Sequence, residues 1–216
     1  MATIYEEIQL PIGNVTLTGD LAIPQKAKGI VVFAHGSGSS RLSSRNKFVA
    51  QQLQANSFAT LLFDLLTLQE DRDYTNRFDI GILTSRLAAV TDWLKQDPRT
   101  ADFTVGYFGA STGAAAALRS AAILGDVVGA VVSRGGRPDM AGSYLQQVRT
   151  PTLLIVGSLD EDVIKLNEQA FAVLRVKKEL KIIPGASHLF EEAGTLEEVA
   201  ALSIDWFDKH LVPSYN

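Results

Sequence analysis

An α/β fold with about eight strands in a mainly parallel sheet is what this sequence predicts, and three observations carry the prediction. Short, continuous apolar runs recur down the chain, as expected of strands covered on both faces. Longer stretches with helical apolar spacing lie between them, the pattern of crossover helices that join parallel strands. At one run-to-helix junction, Gly109-Ala110-Ser111-Thr112-Gly113 places a serine between two glycines, the form of a sharp strand-to-helix turn that pushes a hydroxyl out of the chain.

The elements follow in order. Ile4 to Leu10 and Val15 to Ile23 alternate around the turn residues Pro11, Gly13 and Asn14, which predicts an antiparallel hairpin ahead of the parallel strands. Gly29 to Ala34 is the first continuous apolar run. Similar runs predict strands at Ala59 to Phe63, Phe103 to Phe108, Val127 to Val132, Thr152 to Val156 and Leu180 to Ile183. Helices are expected near Ser44 to Ala55, Phe78 to Lys95, Thr112 to Leu124, Val163 to Leu174 and Leu196 to Leu211, on both faces of the sheet. Asp97-Pro98 closes the second and Gly125 the third. Leu65 to Arg77, rich in Gln, Glu, Asp and Arg, reads as an exposed connection. Only about twenty residues separate Val132 from Thr152, too few for a large inserted cap domain, so the site should be open and shallow. Residues 1–216 are expected to form a single domain.

Composition narrows the function classes. A chain of 216 residues that is 46% hydrophobic can bury one substantial core. Its net charge of −4 comes without any basic run, so it lacks the electrostatic footprint that nucleic acid requires. The absence of cysteine excludes disulfides and thiolate metal sites, and His35, His188 and His210 show no metal-binding spacing, so neither metal nor cofactor is expected. Met1 to Glu7 carries acid where a signal peptide carries base, and no apolar run reaches membrane-spanning length. The sequence therefore reads as that of a soluble, cytoplasmic protein without membrane contact.

In a parallel sheet, loops leaving the carboxyl ends of the strands converge on one edge. Ser111 follows the run ending at Phe108, Asp160 follows Thr152 to Val156, and His188 follows Leu180 to Ile183 through Pro184-Gly185-Ala186-Ser187. A serine hydroxyl is too weakly acidic to attack an ester unaided. It needs a histidine to take its proton and an acid to orient that histidine. Glu161 and Asp162 compete with Asp160 for the acid's place, because acids also suit the first turn of a helix; Asp162 reads as such a helix-start acid. His35 reads as a brace, His210 as a contact at a helix C-terminus and Asp64 as a loop anchor. Arg134 and Arg137 also leave the sheet at this edge, where a guanidinium can hold a substrate carboxylate through two parallel hydrogen bonds; the competing reading makes them paired or solvated surface residues.

Four segments together carry a family likeness: His35-Gly36-Ser37-Gly38-Ser39-Ser40, the turn at Ser111, Val156-Gly157-Ser158-Leu159-Asp160, and Gly185-Ala186-Ser187-His188-Leu189-Phe190. Through them, and through the chain order Ser, acid, His, the sequence resembles an α/β-hydrolase, and more narrowly the dienelactone-hydrolase-related proteins. The likeness spans nearly the whole chain. Dienelactone hydrolases proper use a cysteine nucleophile, so with no cysteine here the resemblance implies a serine variant. It implies a Ser111–Asp160–His188 triad, an oxyanion hole formed by the backbone N–H groups of Ser37 and Thr112, and cofactor-free hydrolysis of a small-molecule ester or lactone through an acyl-enzyme. Two alternatives stay open: a thioesterase, peptidase or perhydrolase reaction on the same triad, and a non-catalytic domain of the same fold that binds a ligand or docks a partner. Related sequences are sometimes fused to phosphoribosyltransferase domains, which makes a partner enzyme of metabolism conceivable.

Overall fold

The computed structural model describes residues 3–211. Met1 and Ala2 of the acidic N-terminal stretch, and residues 212–216 of the expected single domain, lie outside the described residues. Strands β1 (Ile4–Ile12) and β2 (Val15–Ile23) form the antiparallel hairpin, closed by Gly13 and Asn14 with Gly13 at φ +60°. Pro11, expected in the turn, instead pairs with Thr16 inside β1. As an edge strand β1 tolerates a residue without an N–H donor.

Six further strands complete the sheet: β3 (Ile30–Ala34), β4 (Ala59–Phe63), β5 (Val105–Ala110), β6 (Val128–Arg134), β7 (Thr152–Gly157) and β8 (Lys178–Ile183). Their spatial order is β1-β2-β4-β3-β5-β6-β7-β8, and every pairing from β4 to β8 is parallel. Strands β3 to β5 and β7 are buried along their whole length because helices cover both faces. Alternate residues divide between two cores. Ile30 and Val32 face α2 (Ile80–Gln96), α3 (Thr112–Leu124) and α4 (Glu161–Val173), whereas Val31 and Phe33 face α1 (Ser44–Ala55) and α5 (Thr195–Leu211). Each fully buried Leu or Val contributes about 1.5–3 kcal/mol to this packing.

Capping residues set the helix starts. Ser43 accepts a hydrogen bond from the Asn46 N–H ahead of α1, and Asp79 accepts one from Ile82, so α2 begins at Ile80, two residues later than the apolar pattern predicts. The segment after β4 is more ordered than an exposed connection: Leu65 and Leu66 are buried, and 3-10 turns occupy Glu70–Arg72 and Tyr74–Phe78. A further 3-10 segment, Pro138–Gln147, follows β6 and packs Ala141 and Leu145 into the core. Among the described residues, no large cap rises over the carboxyl edge of the sheet.

Candidate active site

Strand β5 runs straight into Ser111 and α3 begins at Thr112, so the backbone reverses in a single residue. Ser111 takes φ 50° and ψ −122°, a conformation that costs a non-glycine residue about 1–3 kcal/mol. Three backbone bonds hold it there. Its N–H donates to Arg134 O at 3.2 Å, and its carbonyl accepts from Ala114 and Arg137, each at 3.1 Å. The two glycines of the turn permit close crossing: a Cβ on Gly113 would sit 2.1 Å from Ala34 O, and one on Gly109 would sit 2.5 Å from Ala114 Cα.

Asp160 and His188 are brought together by two loops zipped side by side. Leu159 N–H donates to Ala186 O at 3.0 Å and Gly185 N–H to Ser158 Oγ at 2.8 Å. His188 Nδ1 then lies 2.6 Å from Asp160 Oδ2. An ionised carboxylate only accepts, so Nδ1 donates to it, and in the neutral imidazole the lone pair is then on Nε2. Asp160 occupies the N-cap position of α4 yet makes no cap bond with its side chain, which turns to the imidazole instead. Among its competitors, Asp162 pairs weakly with Lys165 at 3.4 Å on the exposed helix surface, and Glu161 is likewise exposed in the first turn.

Ser111 and His188 border the same short loop. Ser111 is bonded to Arg134, and the next residue, Gly135 at φ +52°, lies against the imidazole: a Cβ there would sit 3.4 Å from His188 Nδ1 and Cε1. Among the described residues, no hydrogen bond joins the Ser111 hydroxyl to His188; both residues neighbour this loop. A Cβ on Gly136 would sit 2.0 Å from Ser133 Oγ. The sequence signal for this border is the Gly135-Gly136 pair.

The loop after β3 reaches the same place. A Cβ on Gly36 would lie 3.0 Å from Ser111 Cβ, so Ser37 follows immediately beside the Ser111 turn. Thr112, first residue of α3, contributes an N–H from a turn that has no intrahelical acceptor. His35 braces the loop. The Leu65 N–H donates to Nε2 at 3.0 Å, so the proton sits on Nδ1 and bonds Gly36 O at 2.9 Å. Burial lowers the pKa of this imidazole, against the opposing hydrogen bond to Gly36 and the weaker pull of Asp64 and Asp71. Arg41 ties the same loop down through Asp20 at 2.7 Å, Glu7 at 2.9 Å and Asp64 at 3.3 Å, while Asp64 also accepts the Arg41 N–H.

The two candidate arginines go elsewhere. Arg134 is 6% exposed, its guanidinium turned towards α1, where it bonds Asn46 Oδ1 at 3.3 Å and lies 5.7 Å from the Phe190 ring. Burial, with a smaller contribution from Arg45, pulls its pKa down to about 10. Arg137 is clasped by the two oxygens of Asp139 at 2.9 and 2.8 Å. Among the described residues, no group of three His, Cys, Asp or Glu side chains converges as a metal ion would require. No described helix is long and apolar enough to cross a membrane.

The family model for the dienelactone hydrolase family matches residues 17–209. The chain belongs to that family. Among solved structures, the chain is similar to a dienelactone hydrolase from Anabaena variabilis, at 53% identity and a TM-score of 0.94, covering 98% of this chain and 100% of that one. Est1E from Butyrivibrio proteoclasticus shares the fold with a TM-score of 0.80 at 15% identity, covering 94% of this chain and 98% of its own. Two curated relatives from Mycobacterium tuberculosis strains, each named "Putative phosphoribosyl transferase", are 59% identical over 206 residues. That match covers 95% of this chain and 46% of each relative, so the chain spans about half their length. As a dienelactone hydrolase family member, the chain carries serine at the strand-to-helix turn, and its sheet edge gathers the imidazole–carboxylate pair beside that serine. The family and its neighbours support hydrolase chemistry.

Proposed function

We propose that this family member is a cofactor-free serine hydrolase that cleaves small carboxylic esters or lactones through an acyl-enzyme on Ser111. The observation that carries the reading is the 2.6 Å bond between His188 Nδ1 and Asp160 on the rim that also holds the strained Ser111 turn. In this reading His188 Nε2 takes the Ser111 proton as Oγ attacks the ester carbon, then returns it to the departing alcohol. Water repeats the sequence to release the acid. Asp160 fixes the tautomer and stabilises the imidazolium. The backbone N–H groups of Ser37 and Thr112 receive the developing oxyanion, each worth about 3 kcal/mol of barrier. The reacting side chain and its partners come from one chain, residues 1–216, acting as one hydrolase domain on a small-molecule substrate.

The test is labelling by a fluorophosphonate probe. The parent protein is expected to label and to turn over ethyl acetate, and Ser111→Ala to do neither. Labelling of neither protein would instead favour a ligand-binding or docking domain on the same fold. The longer relatives give the docking alternative its specific support, because their chains extend well beyond the matched part. A thioesterase, peptidase or perhydrolase reaction would leave the labelling intact and appear in the substrate profile.

A further inference from the structure

Exposed apolar side chains gather around this rim. Of twelve large hydrophobic residues left exposed among the described residues, six stand on loops from the carboxyl edge of the sheet: Leu42, Leu68, Tyr74, Phe78, Leu159 and Leu189. Half of the exposed apolar positions therefore fall on the one edge that holds the nucleophile, where isolated surface hydrophobics would scatter. Leu159 precedes Asp160 and Leu189 follows His188 in the chain.

Tyr74 and Phe78 are the organised part of this set. They share one 3-10 turn, their ring centroids are 5.1 Å apart with the planes tilted by 55°, and they are 66% and 38% exposed. Such a pair presents an angled apolar ledge rather than being buried in the protein's own core. A chain of contacts joins it to the nucleophile. The Arg77 guanidinium lies 5.8 Å from the Tyr74 ring centroid and 3.7 Å from where a Cβ on Gly38 would stand, and Gly38 is two residues beyond the Gly36 that abuts Ser111.

Most of the arginines around the ledge are already paired. Arg77 is held by both oxygens of Asp71 at 2.8 Å, Arg41 by three carboxylates, Arg45 by Glu191 at 3.1 Å and Arg137 by Asp139. Arg134 is buried, and Arg72, at the end of the Glu70–Arg72 turn, is exposed. At the paired arginines a substrate carboxylate would have to displace internal acids, whereas an uncharged apolar group meets exposed aromatic rings.

We infer that Tyr74 and Phe78 form an aromatic shelf that selects neutral esters bearing an apolar or aryl arm, and that carboxylated esters are disfavoured. This rests on Ser111 being the nucleophile, but the shelf can be read without catalysis. The experiment is calorimetric binding to the intact Ser111→Ala protein, with benzyl butyrate as the neutral probe and monobenzyl succinate as its carboxylated counterpart. Benzyl butyrate is expected to bind more tightly than monobenzyl succinate, to lose about ten-fold in affinity in Ser111→Ala/Tyr74→Ser/Phe78→Ser, and to keep its affinity in Ser111→Ala/Tyr74→Phe. Unchanged binding in the Tyr74→Ser/Phe78→Ser background, or tighter binding of the succinate, overturns the inference. So does concentration-dependent self-association that the same two substitutions abolish without any change in ester binding, which would make the ledge a protein contact. Failure of the hydrolase reading shows separately, as absent fluorophosphonate labelling of the parent.

Discussion

At Ser111, one backbone conformation and one loop border organise everything the site can do. A serine held at positive φ presents its hydroxyl away from strand and helix, and the cost is met by three hydrogen bonds to β6, its exit and α3. If the imidazole–carboxylate bond serves the proton transfer, Asp160→Asn should leave the fold intact and lower kcat by about 10³–10⁴-fold, read by pre-steady-state ester hydrolysis. His35 makes a second residue-level prediction. Its folded pKa lies below the ordinary 6.5 because burial disfavours the cation. In the window between that lowered value and 6.5 the unfolded chain binds the extra proton, so stability should fall as pH drops through 6.5 towards the folded pKa. The half-buried His210 shifts in the same direction, so His35→Gln should remove part of the acid-side loss of Tm; an unaltered Tm–pH slope would exclude the assignment.

The β5–Ser111–α3 unit depends on how closely its pieces cross. Gly109 and Gly113 are needed for the space a Cβ would occupy, with Ala114 and the Ala34 carbonyl lying where that atom would go. Gly109→Ala should therefore cost about 1–3 kcal/mol or more, measured by urea unfolding, because a packed backbone has no flexible side chain to move aside. The alanine run of α3, with Ala114 to Ala117 all buried, meets the sheet for the same reason. Element boundaries read from the apolar pattern came close, and the differences have local causes. Asp79 caps α2 and delays its start, Glu161 and Asp162 extend α4 to the Asp160 cap position, and Pro11 sits in an edge strand whose outer side needs no donor. The turns at Glu70–Arg72 and Tyr74–Phe78 escaped because polar, aperiodic sequence carries no strong signal; Asp73 and the Asp71–Arg77 pair order them through side-chain bonds.

Across the molecule, Arg41 ties the N-terminal hairpin to the parallel sheet and to the loop beside Ser111. Glu7 is on β1, Asp20 on β2 and Asp64 at the exit of β4, so one guanidinium joins three elements. Arg41→Ala should destabilise the protein by about 1–3 kcal/mol, since it leaves three acids facing one another, and the loss should shrink at high salt. It should also lower kcat, because the same arginine anchors the Ser37 loop. Retained kcat with a lowered Tm would separate the hairpin anchor from the site.

What the sequence determined by itself was the set of strands and helices, the Ser111 turn and the chain order that places Ser111, Asp160 and His188 at strand exits. Periodicity and glycine placement are local properties, and local properties survive in one dimension. Which acid meets His188, where Arg134 and Arg137 point, and how Arg77 comes to stand near Gly38 were decided only by the tertiary structure. Each depends on which loops the order of parallel strands makes neighbours, and on whether a buried charge finds its partner in its own chain. Spacing along the sequence carries neither distance.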